Sequence, residues 1–164
     1  TPAAVLDDVR EGRVTADWAR AAYGVCLLTD NNAVAIDEDA TMASRAARRA
    51  ARLGPAPVIV VRDGTGQTTL GVSDVLELAG DGADRRWRCA RCQTLLGMAK
   101  DNYKAGAIVE ESEITAANPH IAPPARLVDA PLVLRHYHCP GCAVTLETEI
   151  ALAGDPLFHD IAID

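Results

Sequence analysis

Aromatic side chains are scarce in this chain: its 164 residues include two Trp, three Tyr and one Phe. Any core is therefore built mainly from Ala, Val, Leu and Ile, and the smaller of these side chains bury little apolar area each. At about 25 cal/mol per Å² of buried apolar surface, an Ala-rich core gives a modest stability margin. We expect a metal ion or a partner surface to add support.

Long hydrophobic runs are also missing. The strongly apolar stretches, such as residues 58–61, are far too short to cross a bilayer, so no membrane partner is expected. The N-terminus has no basic region followed by an apolar run, so no signal peptide is indicated, and we expect a cytoplasmic protein. Removal of an initiator Met before Thr1 and a cloned fragment are both consistent with this start.

Positive charge is in deficit, because the formal net charge is −7. Proteins that bind nucleic acid without sequence preference cluster Lys and Arg against the phosphates, so we expect no nucleic-acid partner. One local basic cluster keeps a nucleic-acid-binding zinc ribbon open as an alternative; it consists of Arg85, Arg86, Arg88 and Arg91.

Sequence signatures of catalysis are absent as well. The chain has no nucleophile elbow, no Walker loop and no His-Glu-x-x-His motif. Gly64-x-Gly66 lacks the third glycine and the following helix of a dinucleotide-binding fingerprint, so it predicts a hairpin turn. We therefore expect no catalytic site in this chain on its own.

The cysteines are the residues whose spacing indicates a specific kind of site. Four of the five cysteines form two Cys-x-x-Cys pairs, Cys89 with Cys92 and Cys139 with Cys142. In a chain without an export signal, such pairs indicate metal ligands rather than disulfides. Each turn directs two sulfurs at one ion, and two turns complete the tetrahedral set of a structural zinc site. The fifth cysteine, Cys26, is predicted to be a small buried hydrophobe.

The distance between the two pairs is unusual. Zinc ribbons typically separate them by about 15–20 residues, whereas 46 residues lie between Cys92 and Cys139. An insertion is tolerable because loop closure costs only about 0.6 kcal/mol per doubling of length. Two unrelated buried cysteine pairs are the alternative. A site closed by four thiolates has no open position for water, so the predicted role of the zinc is to fix folding.

Two histidines immediately precede the second pair. On a strand, His136 and His138 point to the same face. Either could orient a thiolate through a hydrogen bond or replace a metal ligand. A surface or packing role is the favoured interpretation for both.

Two helices are predicted in the N-terminal third. The first spans residues 15–23, with Thr15 as N-cap and Gly24 as stop. The second begins with acidic residues at 37–39 and ends before Gly54, and its later turns are rich in arginine, which complements the helix dipole. Its apolar stripe is predicted from Met42, Ala46, Arg49 or Ala50, and Leu53. Its arginines, Arg45, Arg48, Arg49 and Arg52, predict a solvated face, with a docking surface as the alternative.

Beyond residue 55 the pattern becomes β. Strands are predicted at residues 58–62, 68–72, 75–79, 85–88, 107–109, 132–138 and 144–152, and a short helix capped by Ser73 is the alternative for 74–79. Residues 93–130 are otherwise predicted to be mostly loop. Glu147 and Glu149 indicate the solvated face of the last strand. The expected fold is α+β: a helical extension, residues 1–55, followed by a mainly antiparallel β domain, residues 56–164, with a zinc-ribbon-like four-cysteine site.

Two stretches resemble known families. The first resembles the C-terminal tail of hydantoinase B/oxoprolinase-type large subunits; it comprises Asp8-Val9-Arg10-Glu11-Gly12-Arg13-Val14-Thr15, Ala19, Tyr23-Gly24-Val25, Val34, Ile36-Asp37, Ala40-Thr41 and Arg45. The second resembles the small zinc-binding gamma subunit of acetone and acetophenone carboxylases; it comprises both cysteine pairs, residues 144–150 and Gly154-Asp155-Pro156-Leu157-Phe158-His159-Asp160-Ile161.

These resemblances imply a place in a larger assembly. In such ATP-dependent carboxylases, large hydantoinase A-like and B-like subunits phosphorylate substrates and join bicarbonate to an enol derived from a ketone. The resemblance implies that this chain is a structural zinc subunit, that residues 1–55 dock on a B-type partner, and that only Cys89, Cys92, Cys139 and Cys142 carry over as site residues. An accessory subunit of an ATP-dependent hydantoinase or lactamase, and a rubredoxin-like electron carrier with iron on the same sulfurs, are the alternatives.

Overall fold

The chain divides into two compact units, Thr1–Pro55 and Ala56–Asp164. The computed structural model describes residues 1–30, 33–55, 60–62, 67–117 and 121–163. Within these ranges, no helix is both long enough and apolar enough to cross a membrane.

The first unit combines helices with a two-stranded antiparallel sheet. Its elements are α1 (Pro2–Arg10), α2 (Ala16–Tyr23), β1 (Leu27–Asp30), β2 (Ala33–Ile36) and α3 (Glu38–Leu53). The two predicted helices are confirmed as α2 and α3. Asp30-Asn31-Asn32 also predicts a turn, and its positions 31 and 32 lie outside the described residues.

The ends of α2 and α3 are set by local capping. The Thr15 hydroxyl accepts the Trp18 N–H at 3.1 Å, and the Asp37 carboxylate accepts the Ala40 N–H at 2.9 Å. Each bond satisfies a backbone donor that the first turn of a helix leaves without a partner. At the other end of α2, Gly24 adopts the left-handed conformation, with φ of 63°. A residue without Cβ reaches this conformation at no steric cost, which is why the helix ends there.

The inward face of α3 differs from the predicted apolar stripe. The buried residue of this helix is Thr41, whose hydroxyl accepts the Cys26 N–H at 3.0 Å and donates to the Cys26 carbonyl at 3.3 Å. Met42 is 66% exposed. The stripe is therefore wrong as a packing face, because one polar side chain that satisfies two backbone groups orients the helix. Cys26 is half-buried rather than buried.

Two of the four arginines of α3 bind the C-terminal end of α2. The Arg48 guanidinium donates to the Arg20 and Ala21 carbonyls at 2.9 and 2.6 Å, and Arg45 Nε donates to the Tyr23 carbonyl at 3.3 Å. The last carbonyls of a helix have no partner inside it, and cations interact favourably with that end of the dipole. These side chains therefore hold α3 against α2 instead of forming a purely solvated face.

The second unit contains two antiparallel sheets. The first has the order β3 (Thr68–Gly71), β4 (Leu76–Ala79), β5 (Arg86–Cys89) and β6 (Leu95–Met98), and the second has the order β7 (Ile108–Ser112), β8 (Leu132–His138) and β9 (Thr145–Leu152). Residues 76–79 form a strand, so the helical alternative for 74–79 is wrong. The region predicted as mostly loop also contains a short helix, α4 (Ile114–Ala117), and 3₁₀ turns at Tyr103–Gly106 and Pro124–Arg126. Of the strand predicted at 58–62, positions 58 and 59 lie outside the described residues.

Three of the six aromatic residues lie in the core of this second unit. Trp87, Tyr103 and Tyr137 are all fully buried, together with leucines and with Cys89 and Cys139. The Trp87 indole N–H donates to the Ala99 carbonyl at 3.1 Å, and its ring lies 5.5 Å from the Tyr103 ring. Large rings bury much more area than Ala or Val, so three of them give this unit a core that the composition alone does not suggest.

Beyond the buried Leu146, the last strand presents the opposite face from the one predicted. Glu149 is largely buried, whereas Thr148, Ile150 and Leu152 are exposed, with Ile150 at 62%. Strand alternation had been expected to place the carboxylates in water. The prediction is wrong because Glu149 neutralises a buried cation, Lys104, whose ammonium lies 2.6 Å from its carboxylate.

Candidate metal centre

The four paired cysteines converge on one point. The sulfurs of Cys89, Cys92, Cys139 and Cys142 all lie within 4.8 Å of one another. Two of the separations that join the two pairs are 3.7 Å, between Cys89 and Cys142, and 3.6 Å, between Cys92 and Cys139. Four thiolates at about 2.3 Å from a tetrahedral zinc are separated by about 3.8 Å. The sulfurs are therefore positioned to hold a metal ion.

Both pairs lie on turns of the same geometry. In the first turn, the Cys89 N–H donates to the Thr94 carbonyl at 2.9 Å and the Gln93 N–H donates to the Cys89 carbonyl at 2.8 Å. In the second, the Cys139 N–H donates to the Val144 carbonyl at 2.9 Å and the Ala143 N–H donates to the Cys139 carbonyl at 2.8 Å. The repetition explains how pairs far apart in sequence present their sulfurs in the same way.

Each turn closes through a residue in the left-handed region. Gln93 has φ of 61° and Ala143 has φ of 58°, although neither is a glycine. A side chain in this conformation is strained by roughly 1–2 kcal/mol. Such strain persists where the surrounding structure holds the backbone in place, and it is common at binding sites.

Hydrogen-bond donors surround the sulfurs. The Gly141 N–H points at the Cys139 sulfur at 3.4 Å, and the Thr94 hydroxyl lies 3.1 Å from the Cys92 sulfur. Donors of this kind stabilise the negative charge of a thiolate and orient it toward a cation. Thr94 is fully buried, so its hydroxyl is an integral part of the site.

In the metal-free chain, the surroundings of the cysteine thiols give them different pKa values. Burial raises the pKa of Cys89 well above its usual range and the pKa of Cys142 to about 11. Burial also opposes ionisation of Cys92, but the hydrogen bonds led by Thr94 outweigh it and lower the pKa of that thiol to about 7. A metal ion that binds all four sulfurs must therefore displace protons that burial otherwise holds in place.

The sulfurs connect the two sheets of the second unit. Cys89 is the last residue of β5, and the first turn leads into β6; Cys139 directly follows β8, and the second turn leads into β9. An ion held by all four sulfurs would tie the β5–β6 connection to the β8–β9 connection. Four protein ligands leave no open position, so the arrangement suits a structural ion rather than one that activates water.

The other sequence-predicted residues lie outside the sulfur cluster. His138 is fully buried; its Nε2 is 2.9 Å from Glu110 and its Nδ1 is 3.2 Å from Thr145. The Nδ1 of His136 is 2.9 Å from the Thr148 hydroxyl. Both rings therefore make hydrogen bonds with neighbouring strand residues.

The local basic cluster is smaller than the sequence indicates. Arg88 is buried, and its guanidinium binds the Glu77 carboxylate at 2.5 Å and the Thr68 hydroxyl at 3.0 Å. A guanidinium held in this way is not presented to a phosphate backbone. Arg88 is therefore no longer one of the four exposed arginines on which the alternative of a nucleic-acid-binding zinc ribbon depends.

Sequence reasoning missed a second group of buried charges around Lys104. This side chain is 1% exposed, and its ammonium contacts Glu149 at 2.6 Å, Asp160 at 3.3 Å and the Tyr137 ring at 5.1 Å. The Tyr137 hydroxyl donates to the other Glu149 oxygen at 2.5 Å, and burial with this bond raises the pKa of Tyr137 to about 12. No local motif signals such a group, because its members are joined only by the tertiary fold.

The same region holds the irregular C-terminal segment. Arg135 donates to the Asp155 carbonyl at 2.8 Å, and the Asn102 amide donates to the Phe158 carbonyl at 3.3 Å. The Tyr103 hydroxyl lies 3.3 Å from Asp160. Side chains from the 3₁₀ turn and from β8 thus fix a segment that makes no regular secondary structure of its own.

Two Cys-x-x-Cys turns that lead into antiparallel strands and gather four sulfurs define a zinc-ribbon-like β unit, whose sulfurs are positioned to hold a metal ion. The chain belongs to the acetone carboxylase gamma subunit family, whose profile matches residues 65–164. Residues 1–55 lie outside the matched region.

One curated relative is the acetophenone carboxylase beta subunit of Aromatoleum aromaticum (strain DSM 19018 / LMG 30748 / EbN1). It is 31% identical over 88 residues, which cover 49% of this chain and 65% of the relative. The match therefore spans slightly less than two thirds of that protein's length.

Proposed function

We propose that this chain is the small, zinc-holding structural subunit of an ATP-dependent ketone carboxylase complex of the acetophenone carboxylase type. The observation that carries the proposal is the convergence of four sulfurs within 4.8 Å in a chain of the acetone carboxylase gamma subunit family. In this proposal the chain has no catalytic site of its own, and its role is to complete and stabilise the assembly.

Zinc is the metal that this donor set favours. Four thiolates in tetrahedral arrangement suit Zn²⁺, which has no preferred geometry of its own and is bound in closed sites of this kind. Cys89 and Cys92 would hold it from one sheet, and Cys139 and Cys142 from the other. Binding free energy at such a site adds directly to folding free energy. Iron on the same sulfurs would instead indicate a rubredoxin-like electron carrier.

The first unit supplies the proposed contact with a large partner. The buried group at its centre is small, with Val5, Ala19 and Val25 as the buried members. Helix α3 has one buried residue, Thr41, and exposes Met42. We propose that residues 1–55 dock on a hydantoinase B-like subunit, in a cytoplasmic assembly that also contains a hydantoinase A-like subunit. An accessory role in a hydantoinase or lactamase complex shares this docking and is distinguished by substrate assays on the purified complex.

The test begins with the tagged chain isolated from its own host. We expect two large subunits to co-purify in fixed ratio, one zinc per chain by elemental analysis, and no colour. Zinc-free folded protein that remains solitary contradicts the proposal, and iron with visible absorbance favours electron transfer.

Variants of the first unit then test the docking. Deletion of residues 1–55 is expected to spare zinc and to release the chain from its partners. Met42→Asp in the full chain tests the same surface without removing a unit, and Leu127→Asp, at an exposed position of the second unit, is the matched control. Undiminished co-purification of both the deletion variant and Met42→Asp contradicts the docking.

A further inference from the structure

The last strand has an open edge, and hydrogen bonds reveal which backbone groups face it. In the second sheet β9 pairs with β8 alone. The Ala153 N–H donates to the Pro131 carbonyl on the β8 side, whereas the Thr148 N–H donates to the Glu147 side chain. Backbone groups of residues two apart in a strand point the same way. Those of Glu149 and Ala151 therefore face β8, and those of Thr148 and Ile150 face outward.

Three of these outward groups have no hydrogen-bond partner within the described ranges. They are the Thr148 carbonyl and both backbone groups of Ile150. Leu152 differs, because its carbonyl accepts the Asp155 N–H at 3.1 Å. The open stretch is thus short and begins and ends at defined residues.

Between Thr148 and Leu152 the edge carries no proline, no lysine and no bulge. Natural edge strands carry proline, outward lysines or bulges that prevent another strand from adding. Between residues 147 and 152 the pairing with β8 runs without a bulge, and the register irregularity lies earlier, at Tyr137/His138. On the outer face the side chains are Thr148, Ile150 and Leu152, all of them exposed and two of them apolar.

A cleft of about 420 Å³ lies beside this edge. It is bounded by residues 149–151 of β9 and by residues 155–159 of the C-terminal segment, and it includes the apolar Leu157 and Phe158. Acidic groups lie at both ends of the open stretch: the Glu147 carboxylate at the Thr148 N–H, and the exposed Asp155 in the cleft lining. An added strand would direct alternate side chains over Ile150 and into this cleft.

We propose that the edge of β9 at Thr148–Ile150 binds an extended segment of a partner polypeptide by strand addition. The segment carries apolar side chains over Ile150 and Leu152, and a Lys or Arg toward Glu147 and Asp155. Main-chain hydrogen bonds supply affinity in such recognition, and the alternate side chains supply specificity. The inference rests on the proposed function, because the partner belongs to the complex.

Charge argues against a second copy of this chain as the occupant. Antiparallel pairing of two β9 strands centred on Ile150 would bring a second Glu147 and a second Glu149 to the same edge. Residues 145–155 contain no Lys or Arg, so a second copy offers no cation to Glu147 or Asp155, and the chain already carries a net charge of −7. A basic strand from another polypeptide fits the same edge with opposite charge.

The test uses the purified complex and the free full-length chain. Hydrogen exchange resolved to single amides is expected to show the Ile150 N–H exchanging at least about tenfold more slowly in the complex than in the free chain. A photo-crosslinking residue at position 150 is expected to attach to one segment of a large subunit that alternates apolar side chains with Lys or Arg.

Charge variants complete the test. Ile150→Asp is expected to abolish the protection of this edge and to weaken the complex about tenfold. Val109→Asp, an exposed position on the other edge strand β7, is the matched control and is expected to leave both unchanged.

The outcomes separate this inference from the proposed function. If the large subunits co-purify but the Ile150 amide exchanges at the free rate, the strand addition is overturned while the proposed function stands. Attachment of the crosslinker to a second copy of the chain overturns the choice of occupant. If no large subunit co-purifies, the proposed function itself fails.

Discussion

Gly141 and Thr94 are in direct contact across the metal centre. A Cβ atom built on Gly141 would overlap the Thr94 hydroxyl oxygen and lie 3.2 Å from the Cys92 sulfur. Gly141 belongs to the second cysteine turn and Thr94 follows the first, so the two turns meet where no side chain fits. The contact makes the packing of the turns, as well as their sulfurs, a requirement for the site.

Gly141→Ala is therefore expected to damage the centre. The added methyl group must push the Thr94 hydroxyl and the Cys92 sulfur away from residue 141. Overpacking of this kind costs about 1–3 kcal/mol. We expect lower metal occupancy and a lower melting temperature, measured by elemental analysis and calorimetry. Gly71→Ala is the matched control, since a Cβ there meets nothing within 4 Å and φ is ordinary. Equal occupancy and melting of the two variants would refute the steric argument.

Thr94→Val removes a hydrogen bond without changing the size of the side chain. The Thr94 hydroxyl helps to lower the pKa of Cys92 to about 7. We therefore expect the pKa of Cys92 to be higher in the metal-free variant than in the metal-free wild type. Loss of a partner that orients a ligand typically costs about 10–100-fold in metal affinity. Thiolate absorbance against pH measures the first effect, and competition with a chelator measures the second. Thr94→Ser keeps the hydroxyl and is expected to restore both; failure of this rescue would contradict the assignment.

Cys142→Ser removes one of the four sulfurs. We expect loss of the metal and a large loss of stability confined to residues 56–164, because metal binding and folding are coupled there. Cys26→Ser, in the first unit, is the control and is expected to retain the metal. Hydrogen exchange resolved by region measures the effect in each unit. Full metal occupancy and unchanged protection from hydrogen exchange in Cys142→Ser would contradict the four-sulfur site.

Lys104→Met breaks the buried ion pair with Glu149. Removing one member of a buried pair leaves the other charge uncompensated, which typically costs about 3–5 kcal/mol. The variant is expected to unfold at lower denaturant and to loosen residues 155–160, which the same group of side chains holds. Lys104→Met combined with Glu149→Leu is expected to recover part of the loss, because the more buried of the two carboxylates that Lys104 contacts is no longer left without its cation; Asp160, the other one, is more exposed to solvent. A double variant no more stable than the single one would show that the pair is not the source.

The way the free energy of unfolding falls at acid pH depends on Glu149. Burial opposes its ionisation, but the hydrogen bonds from Lys104 and Tyr137, together with the nearby positive charges of Lys104 and Arg135, hold the pKa of Glu149 below its usual value. A carboxylate with a lowered pKa contributes stability that is complete above its unfolded pKa, about 4.3, and lost as pH falls through the folded value.

The stability difference between wild type and Glu149→Gln should thus be largest near neutral pH and shrink below about pH 4.3. Denaturant titrations at several pH values measure it. Glu113→Gln, at an exposed position, is the control and is expected to stay within about 0.5 kcal/mol of wild type throughout. A difference for Glu149→Gln that does not change with pH would refute the assignment.

Local chemistry made parts of this structure predictable. The ends of α2 and α3 follow from Thr15, Gly24 and Asp37, because a cap acts within one turn of its own residue. The pairing of Cys89–Cys92 with Cys139–Cys142 follows from ligand number, because a closed tetrahedral site needs four. The strand at Leu132–His138 follows from its apolar run Leu132-Val133-Leu134 and from Tyr137, which favour a half-buried strand.

The orientation of elements was less predictable. Alternation along β9 is equally regular with either face inward, and the sequence offers no local reason for Glu149 to be buried. Lys104, which lies 45 positions away in the sequence, determines that Glu149 faces inward. The same holds for α3, where a hydrogen bond to Cys26 turns Thr41 inward and leaves Met42 in solvent.

The sequence by itself thus determined the cysteine turns, the helix ends and the family, since each depends on residues close together or on ligand chemistry. Only the tertiary structure decided that Thr94 and Gly141 interlock, that Lys104 and Glu149 pair inside, and that Ile150 lies on an open edge. These features arise where distant segments meet, and the free energy of such contacts depends on geometry that no local pattern encodes.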